Sequence, residues 1–333
     1  MKTTILSTQD LTAGYYVGKK KSPILERLNL TLNAGELVCL LGANGIGKST
    51  LLRTLSGVQT PLEGKISIAG KDMSQCSARQ LSRLISIVYT DRTLAGALTV
   101  QEVVSLGRHP YTGFFGRLDI DDKTIVWQAM EAVGITNLAQ KQIATLSDGE
   151  RQKTMIARAL AQQTPIIILD EPTAFLDVAS RIETMQLLHS LAHNQNKAIL
   201  LSSHDISQSL VLAHRLWLLR NDRTMIDGMT EELIMKGELE HLFANREVIF
   251  DYNIGEFLAK PTIIHQVSLH CENNTLKHWL SNALLRNNIG IAENKEIIIS
   301  ATDINTIKIS YQNDNYIVGD IEELIARLED IIG

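Results

Sequence analysis

The stretch Gly42-Ala-Asn-Gly-Ile-Gly-Lys-Ser-Thr50 decides the fold of this chain. It matches the spacing G-x-x-x-x-G-K-[ST], in which glycines let successive backbone N–H groups turn inward around phosphate oxygens. An apolar segment, Leu37–Leu41, precedes this loop, and a helix-forming segment, Ser49–Leu55, follows it. Because a strand and a helix N-terminus are the context that the motif requires, the loop is predicted to bind a nucleoside triphosphate.

The motif predicts a separate role for each polar side chain of the loop. Lys48 is predicted to reach the β- and γ-phosphates, and Ser49 to offer its hydroxyl to Mg²⁺. The remaining nucleotide-binding positions of the loop are predicted to be Gly42, Asn44, Gly45, Gly47 and Thr50.

Length, charge and cysteine content restrict the class of protein to which this chain can belong. Its 333 residues suffice for two or three domains, and a net charge of −5 does not indicate a nucleic-acid surface, so no nucleic-acid partner is expected. The short run Lys19–Lys21 is typical of a solvated hairpin tip, with an anionic surface as the alternative. Three scattered cysteines without C-x-x-C spacing fit a reducing compartment and predict no metal site.

No segment approaches the roughly 18 apolar residues of a membrane span. The N-terminal residues Met1–Ser7 also lack the long apolar stretch of a signal peptide. We therefore expect a protein that reaches a membrane only by docking onto another protein.

The order of apolar patterns predicts an α/β fold with a second, smaller domain. Short apolar strands alternate with helices, which is typical of a mostly parallel sheet covered on both faces. We predict a first domain over 1–245 with a helical insertion at about 92–160, a linker over 246–259, and a small α+β domain over 260–333.

Two carboxylates follow the apolar strand Ile166–Leu169. Parallel strands deliver the residues after them to one edge of the sheet, where the phosphate loop also lies. Asp170 is therefore predicted to hold Mg²⁺, and Glu171 to deprotonate the attacking water as a general base. An acidic helix cap is the alternative interpretation.

Taken in order, these motifs resemble those of the ATP-binding cassette (ABC) ATPases. Leu146-Ser-Asp-Gly-Glu150 looks like the family signature, which is usually Leu-Ser-Gly-Gly-Gln. Ala174-Phe-Leu-Asp177 is similar to the D-loop, and Ser202-Ser-His-Asp205 to the switch-histidine loop. Tyr15 falls where the family places an aromatic ring that stacks on adenine, with Tyr16 as the competing candidate.

The resemblance covers residues 1–245 and implies a P-loop NTPase fold. It implies a RecA-like core with an N-terminal antiparallel β element and a helical subdomain, with ATP and Mg²⁺ as cofactors. Two cassettes would form a head-to-tail homodimer with ATP between the phosphate loop of one and the signature of the other. Ser147 and the N–H of Gly149 would contact the γ-phosphate, and Asp177 would join the two sites. His204 would contact the γ-phosphate and hold Glu171 in place, although a structural histidine is the default reading of such a residue alone.

Two positions depart from the family pattern. Thr90-Asp91 stands where a glutamine normally leads into the helical insertion, and we expect Thr90 or Asp91 to take over its coupling to Mg²⁺. Asp148 replaces a signature glycine, and its carboxylate should point away from the nucleotide. At about 4 Å a second negative charge would cost roughly 4 kcal/mol at an effective dielectric of 20. Neither change touches Lys48 or Glu171, so an active ATPase is still expected.

The helical insertion resembles one branch of the family. Leu98–Gly113 looks like the ATPases of ferric-siderophore, haem and cobalamin importers, in which a Gly-Arg-x-Pro element lies in the subdomain that meets the permease. We expect Arg108, His109, Tyr111 and Phe114 to be docking residues, with local packing as the alternative.

This resemblance implies an importer subunit on the cytoplasmic face of the inner cell membrane, attached peripherally. Its partners would be a second copy, transmembrane permease subunits and, indirectly, a substrate-binding protein. The competing class is a soluble ABC ATPase with no transport role, such as an iron–sulfur cluster assembly factor.

Residues 260–333 match no motif with assigned chemistry. Four residues there are metal-ligand types, but their spacing fits no standard zinc pattern: His265, His270, Cys271 and His278. Dimer contacts or regulation by an intracellular ligand are the roles that we expect.

Overall fold

The computed structural model describes residues 3–89, 97–113, 116–243, 247–252 and 254–332. The chain divides into two compact units: residues Met1–Arg246 with Phe250–Phe257, and residues Glu247–Ile249 with Leu258–Gly333. Among the described residues, no helix combines the length and the apolar character that crossing a membrane requires.

The first unit alternates strands and helices. Its strands are β1 (Thr4–Val17), β2 (Lys20–Leu28), β3 (Thr31–Asn33), β4 (Leu37–Gly42), β5 (Glu63–Ile68), β6 (Lys71–Asp72), β7 (Ile85–Tyr89), β8 (Ile166–Asp170), β9 (Ala198–Ser202), β10 (Arg215–Leu219) and β11 (Met225–Met229). Its α-helices are α1 (Lys48–Leu55), α2 (Ala78–Leu81), α3 (Val100–Ser105), α4 (Ile120–Ala132), α5 (Asp148–Ala161), α6 (Val178–Gln195), α7 (Ile206–Leu212) and α8 (Thr230–Met235).

A six-stranded sheet forms the centre of this unit, in the order β11-β10-β4-β9-β8-β7. All neighbouring strands are parallel except β10 and β11. Successive residues of a strand point to opposite faces, so a sheet covered on both sides needs continuous apolar strands. In β4, for example, Cys39 and Leu41 belong to the core on one face, and Val38 and Leu40 to the core on the other.

A second sheet is antiparallel, with the order β2-β1-β5-β6 and with β3 paired to β1. Strands β1 and β2 meet at the turn Gly18-Lys19, where Gly18 has φ +64°. Lys21 pairs with Glu63 at 2.8 Å on the surface. The lysine run is therefore at a hairpin tip.

The segment predicted as a helical insertion contains α3, α4 and α5. Each of these helices begins with a capping box, in which the N-cap side chain and the third helical residue satisfy each other's backbone N–H groups. The N-cap residues are Thr99, Asp119 and Ser147. These caps fix the N-terminus of each helix, including the one that carries the signature.

The segment predicted as a linker is instead a hairpin of β12 (Val248–Asp251) and β13 (Glu256–Ala259). The rings of Phe243 and Phe257 lie 4.8 Å apart edge to face, and those of Phe250 and Phe257 lie 5.1 Å apart. Phe250 is only 6% exposed and belongs to the core of the first unit. Burial of this aromatic surface explains why the segment packs as a hairpin instead of serving as a free linker.

The second unit is a small α+β fold. Its elements are β14 (His265–Cys271), α9 (Asn274–Arg286), β15 (Ile289–Ile291), β16 (Ile297–Asp303), β17 (Thr306–Tyr311), β18 (Asp314–Val318) and α10 (Ile321–Ile332). The sheet order is β15-β14-β16-β17-β18, and Leu280 and Leu284 of α9 and Leu324 and Leu328 of α10 share one core with it. Within the described residues no three His, Cys, Asp or Glu side chains form a group that could hold a metal ion.

Candidate functional site

The phosphate loop connects β4 to α1 and has the conformation that its glycines predict. Gly47 has φ +123°, and a Cβ there would lie 2.7 Å from Cγ2 of Ile24. A Cβ on Gly42 would lie 2.7 Å from the carbonyl oxygen of Leu219. Both positions therefore require glycine, one because of backbone conformation and close packing and the other because of close packing alone.

Lys48 is 5% exposed, and its ammonium group lies within the loop. Nζ donates to the carbonyl oxygens of Gly42 at 2.8 Å and Ala43 at 3.2 Å. Burial lowers the pKa of Lys48, and the carboxylates of Glu171 and Asp170 act in the opposite direction. The loop thus holds a buried cation beside two carboxylates, where an anionic ligand can bind.

A cavity of about 530 Å³ lies over the loop. It brings together residues from β1, the loop, and the ends of β8 and β9. They are Tyr15, Ile24, Asn44, Gly45, Gly47, Lys48, Ser49, Thr50, Glu171 and His204.

The strand β8 ends at Asp170, whose carboxylate faces the loop. Ser49 Oγ donates to Asp170 Oδ1 at 3.3 Å, and Ser202 Oγ donates to the same oxygen at 2.7 Å. The backbone N–H of Glu171 donates to Ser202 Oγ at 2.9 Å. The structure thus connects the predicted metal and base residues through a serine that the sequence analysis did not single out.

His204 lies after β9 and contacts the side chain of Glu171. The distance from His204 Nε2 to Glu171 Oε1 is 2.7 Å, and both side chains are partly exposed to the cavity. An imidazole at this distance can orient the carboxylate and fix the direction of its second oxygen.

Tyr15 and Tyr16 were the competing aromatic residues. Tyr15 is 43% exposed, lines the cavity over the loop, and its hydroxyl lies 2.9 Å from Oγ1 of Thr50. Tyr16 is 57% exposed and does not line that cavity. The geometry therefore favours Tyr15 over Tyr16 as the ring that would stack on adenine.

The signature forms the N-terminus of α5. Ser147 is the N-cap, and its backbone N–H donates to Glu150 Oε2 at 2.8 Å. A Cβ on Gly149 would lie 3.0 Å from Oγ of Ser180, so this position favours a glycine. Ser180 in turn donates from its backbone N–H and from its hydroxyl to Asp177, each at 2.9 Å.

Asp177 is the N-cap of α6 and therefore has a structural function in this chain. The hydrogen bonds from Ser180 hold the pKa of Asp177 below its usual value. Ser180 thus bonds to Asp177 of the D-loop and lies close to the signature glycine Gly149. Asp148 is exposed at the first helical position of α5.

The docking prediction for Arg108 is wrong. This side chain is 5% exposed, and its Nε donates to Asp122 Oδ1 at 2.8 Å. Nη1 donates to the carbonyl oxygen of Ala161 and to Oε1 of Gln163, both at 2.9 Å. Arg108 therefore joins α4 to the end of α5 inside the subdomain. Because these contacts satisfy its charge and bury it, the side chain is inaccessible to a partner.

Tyr111 belongs to the same packing, since its hydroxyl donates to the carbonyl oxygen of Gln162 at 3.0 Å. His109 is exposed. Phe114 lies outside the described residues, as do Thr90 and Asp91, the predicted substitutes for the glutamine.

Two residues of the site were missed by the sequence analysis. Ser202 could have been found from strand register, because it pairs with Asp170 across β8 and β9. Arg181 donates to the carbonyl oxygen of Leu176 at 3.2 Å and lies 3.5 Å from Asp205, which connects the D-loop to the cap of α7. No local motif marks Arg181.

Comparison with known proteins agrees with this geometry. A family model described as ABC transporter matches residues 25–174. The ferric enterobactin transport ATP-binding protein FepC of Escherichia coli (strain K12) is 35% identical over 74% of this chain and 89% of its own length. The iron(3+)-hydroxamate import ATP-binding protein FhuC of Bacillus subtilis (strain 168) is 35% identical over 74% of this chain and 90% of its own.

Solved structures are similar as well. One is a transporter described as metal-chelate type in an inward-facing conformation. It is 29% identical, has a TM-score of 0.63, and the match covers 77% of this chain and 95% of the other. The dimeric ABC transporter cassette MJ0796 is 26% identical with a TM-score of 0.59, covering 68% of this chain and 99% of the other.

Proposed function

Since this chain belongs to the ABC transporter family of ATP-binding proteins, we propose that it is the ATP-hydrolysing subunit of an importer for an iron chelate or a similar metal complex. The observation that supports the site most strongly is the single cavity shared by the phosphate loop, Glu171 and His204. Haem and cobalamin are members of the same cargo class. The names of the relatives FepC and FhuC support iron-chelate transport.

Hydrolysis in this proposal proceeds by attack of water on the γ-phosphorus. The new P–O bond forms as the bond to the β–γ bridging oxygen breaks, which gives ADP and inorganic phosphate. Glu171 orients the water and accepts its proton as the general base. His204, 2.7 Å from Glu171, holds that carboxylate in place and contacts the γ-phosphate.

Lys48 and the backbone N–H groups of the loop bind the phosphates in this site. The other nucleotide-binding positions of the loop are Gly42, Asn44, Gly45, Gly47, Ser49 and Thr50. The N-terminus of α1 adds its dipole to the field that stabilises them. Tyr15 stacks on adenine from the antiparallel sheet.

Mg²⁺ fits the oxygen ligands present here. Ser49 Oγ lies 3.3 Å from Asp170 Oδ1, and hydroxyl and carboxylate oxygens with water are the ligands that Mg²⁺ prefers. Ser49 and Asp170 would hold it, with Thr90 or Asp91 as further oxygen sources. When bound, the ion supplies charge that neutralises the phosphate oxygens.

A homodimer completes the site. Ser147 and the N–H of Gly149 would approach the γ-phosphate bound to the other copy, since a helix N-terminus favours an anion. Asp177, which bonds to Ser180 beside Gly149, would join the two sites. The dimeric form of the similar cassette MJ0796 supports this arrangement.

The dimer would lie beneath a permease dimer, attached peripherally to the cytoplasmic face of the inner membrane. A substrate-binding protein would deliver the cargo, which never contacts this chain. A soluble ABC ATPase without a transport role remains the second candidate class, although the names of the relatives favour transport.

Co-purification from membranes of the native host tests the importer proposal. We expect tagged protein to carry a polytopic permease, identified by mass spectrometry, after detergent extraction. Recovery of soluble partners alone, with no membrane protein enriched over an untagged control, would contradict it and favour the second class.

Replacement of Lys48 with methionine tests nucleotide binding. Methionine keeps most of the length of the side chain but removes the charge. We therefore expect ATP to bind about ten- to hundredfold more weakly, as for the loss of a hydrogen bond to a charged group. Titration calorimetry with a non-hydrolysable ATP analogue measures this. Lys65→Met, on an exposed strand position, is the control and should bind like the unchanged chain. Equal affinity for Lys48→Met would argue against the site.

A further inference from the structure

We propose that Ser202 is a positioning residue that fixes Asp170 and Glu171 relative to each other for ATP hydrolysis. This inference rests on the roles proposed above for those two carboxylates. It adds to the catalytic arrangement a residue from a third segment that is buried and does not line the cavity over the loop.

The first observation is the hydrogen bonding of a single hydroxyl. Ser202 Oγ donates its one proton to Asp170 Oδ1 at 2.7 Å and accepts the backbone N–H of Glu171 at 2.9 Å. Ser202 is fully buried. The hydroxyl therefore ties the carboxylate of one residue to the backbone of the next.

The second observation concerns the backbone of Glu171. Its φ is +52°, in the left-handed region that a residue with a side chain adopts only when its surroundings hold it there. The bond from its N–H to Ser202 is one such constraint. Loss of that acceptor would release the turn that aims the Glu171 side chain at the cavity.

The third observation concerns Asp170, whose Oδ1 also accepts from Ser49 at 3.3 Å. Two donors from two different segments meet at one carboxylate oxygen and so hold that oxygen in place. The orientation of the proposed metal ligand thus depends on β9 as well as on the phosphate loop.

Ser202 is a buried polar residue at the end of an apolar strand. The residues before it in β9 are buried and apolar, Ala198 to Leu201. A hydroxyl buried at the end of such a strand needs partners. The hydrogen bonds of its hydroxyl join it to the two residues of the proposed catalytic pair. Strand register places the first of them, Asp170, directly opposite Ser202.

Three variants test the proposal. Ser202→Ala removes the hydroxyl, and Ser202→Thr restores it. Ser86→Ala is the matched control, because Ser86 is also buried and lies in strand β7 of the same sheet. Its hydroxyl bonds to Thr164 and Ile166 at the start of β8, far from Asp170 at the end of that strand.

For Ser202→Ala we expect kcat to fall about ten- to hundredfold, the range for losing a hydrogen bond to a charged group, while KM for ATP changes little. The Mg²⁺ concentration for half-maximal rate should rise, whereas calorimetric binding of ATP in EDTA should be unchanged. Independently of activity, amide hydrogen exchange of the peptide containing Glu171 should accelerate. Ser202→Thr should recover most of kcat and of the exchange protection.

The outcomes separate this inference from the proposed function. If Lys48→Met and Glu171→Gln retain normal activity, the site itself is misassigned. If they lose activity but Ser202→Ala keeps its kcat and Mg²⁺ dependence, only the role of Ser202 is refuted. A loss in Ser202→Ala that is matched by Ser86→Ala, or that leaves exchange at Glu171 unchanged, would show a merely structural hydroxyl and also overturn it.

Discussion

Glu171→Gln is expected to lower the rate of ATP hydrolysis by about 10²–10⁴-fold, the contribution typical of a general base. Glutamine has the same shape and can still contact His204, which lies 2.7 Å from the native carboxylate. Its amide cannot accept the proton of the attacking water. ATP binding should therefore persist, and phosphate release at saturating ATP measures the loss.

A second readout distinguishes loss of chemistry from loss of folding. Glu171→Gln should accumulate as an ATP-bound dimer in light scattering, because binding is retained while hydrolysis is blocked. Glu322→Gln, an exposed position of α10, is the control and should behave like the unchanged chain in both assays. Hydrolysis by Glu171→Gln within threefold of normal would exclude Glu171 as the base.

Arg108→Met is expected to lower the free energy of unfolding by about 3–5 kcal/mol, because it leaves Asp122 as a buried charge without its partner. Arg108 and Asp122 are 5% and 7% exposed and lie 2.8 Å apart. Urea denaturation followed by circular dichroism at neutral pH measures the change. The double variant Arg108→Met with Asp122→Asn should recover part of the loss, since it removes the remaining charge.

The pH dependence of this pair has a defined sign. Burial alone would raise the pKa of Asp122, but the hydrogen bonds from Arg108 and from the Asp119 backbone outweigh it and hold that pKa below its ordinary value. The stabilisation is therefore present above the ordinary pKa of 3.8 and is lost as the pH falls through the lower pKa of the folded chain.

The exposed pair of Lys21 and Glu63 provides the comparison for Arg108. Lys21→Met should leave the urea midpoint unchanged, because solvent screens such pairs. A similarly small effect of Arg108→Met would contradict the structural role of the buried arginine.

The residues that the sequence alone could identify belong to motifs whose chemistry is local. The loop from Gly42 to Thr50 needs its glycines within a few positions of one another. The end of β8 marks Asp170 by the change from apolar to acidic residues. These features do not depend on distant parts of the chain, so pattern and spacing suffice.

The residues that the sequence could not identify depend on distant contacts. Arg108 looks exposed beside His109 and Pro110, and only the packing of Asp122 and Ala161 against it reveals that it is buried. Ser202 acquires its partners from the register of two strands. The segment 248–259 contains the turn-forming residue types Asp251, Asn253 and Gly255. The aromatic contacts that hold its hairpin against the first unit's core come from distant Phe243 as well as from the hairpin itself.

The aromatic hairpin also determines where the gene can be divided. Phe250 and Phe257 pack against the core of the first unit, although they lie beyond the point where its motifs end. An open reading frame stopped at codon 245 would encode every nucleotide-site motif and still leave a vacancy of two phenylalanine rings in that core. A boundary at which C-terminal modules could be exchanged while this hairpin is kept whole therefore lies after Ala259, where β13 ends.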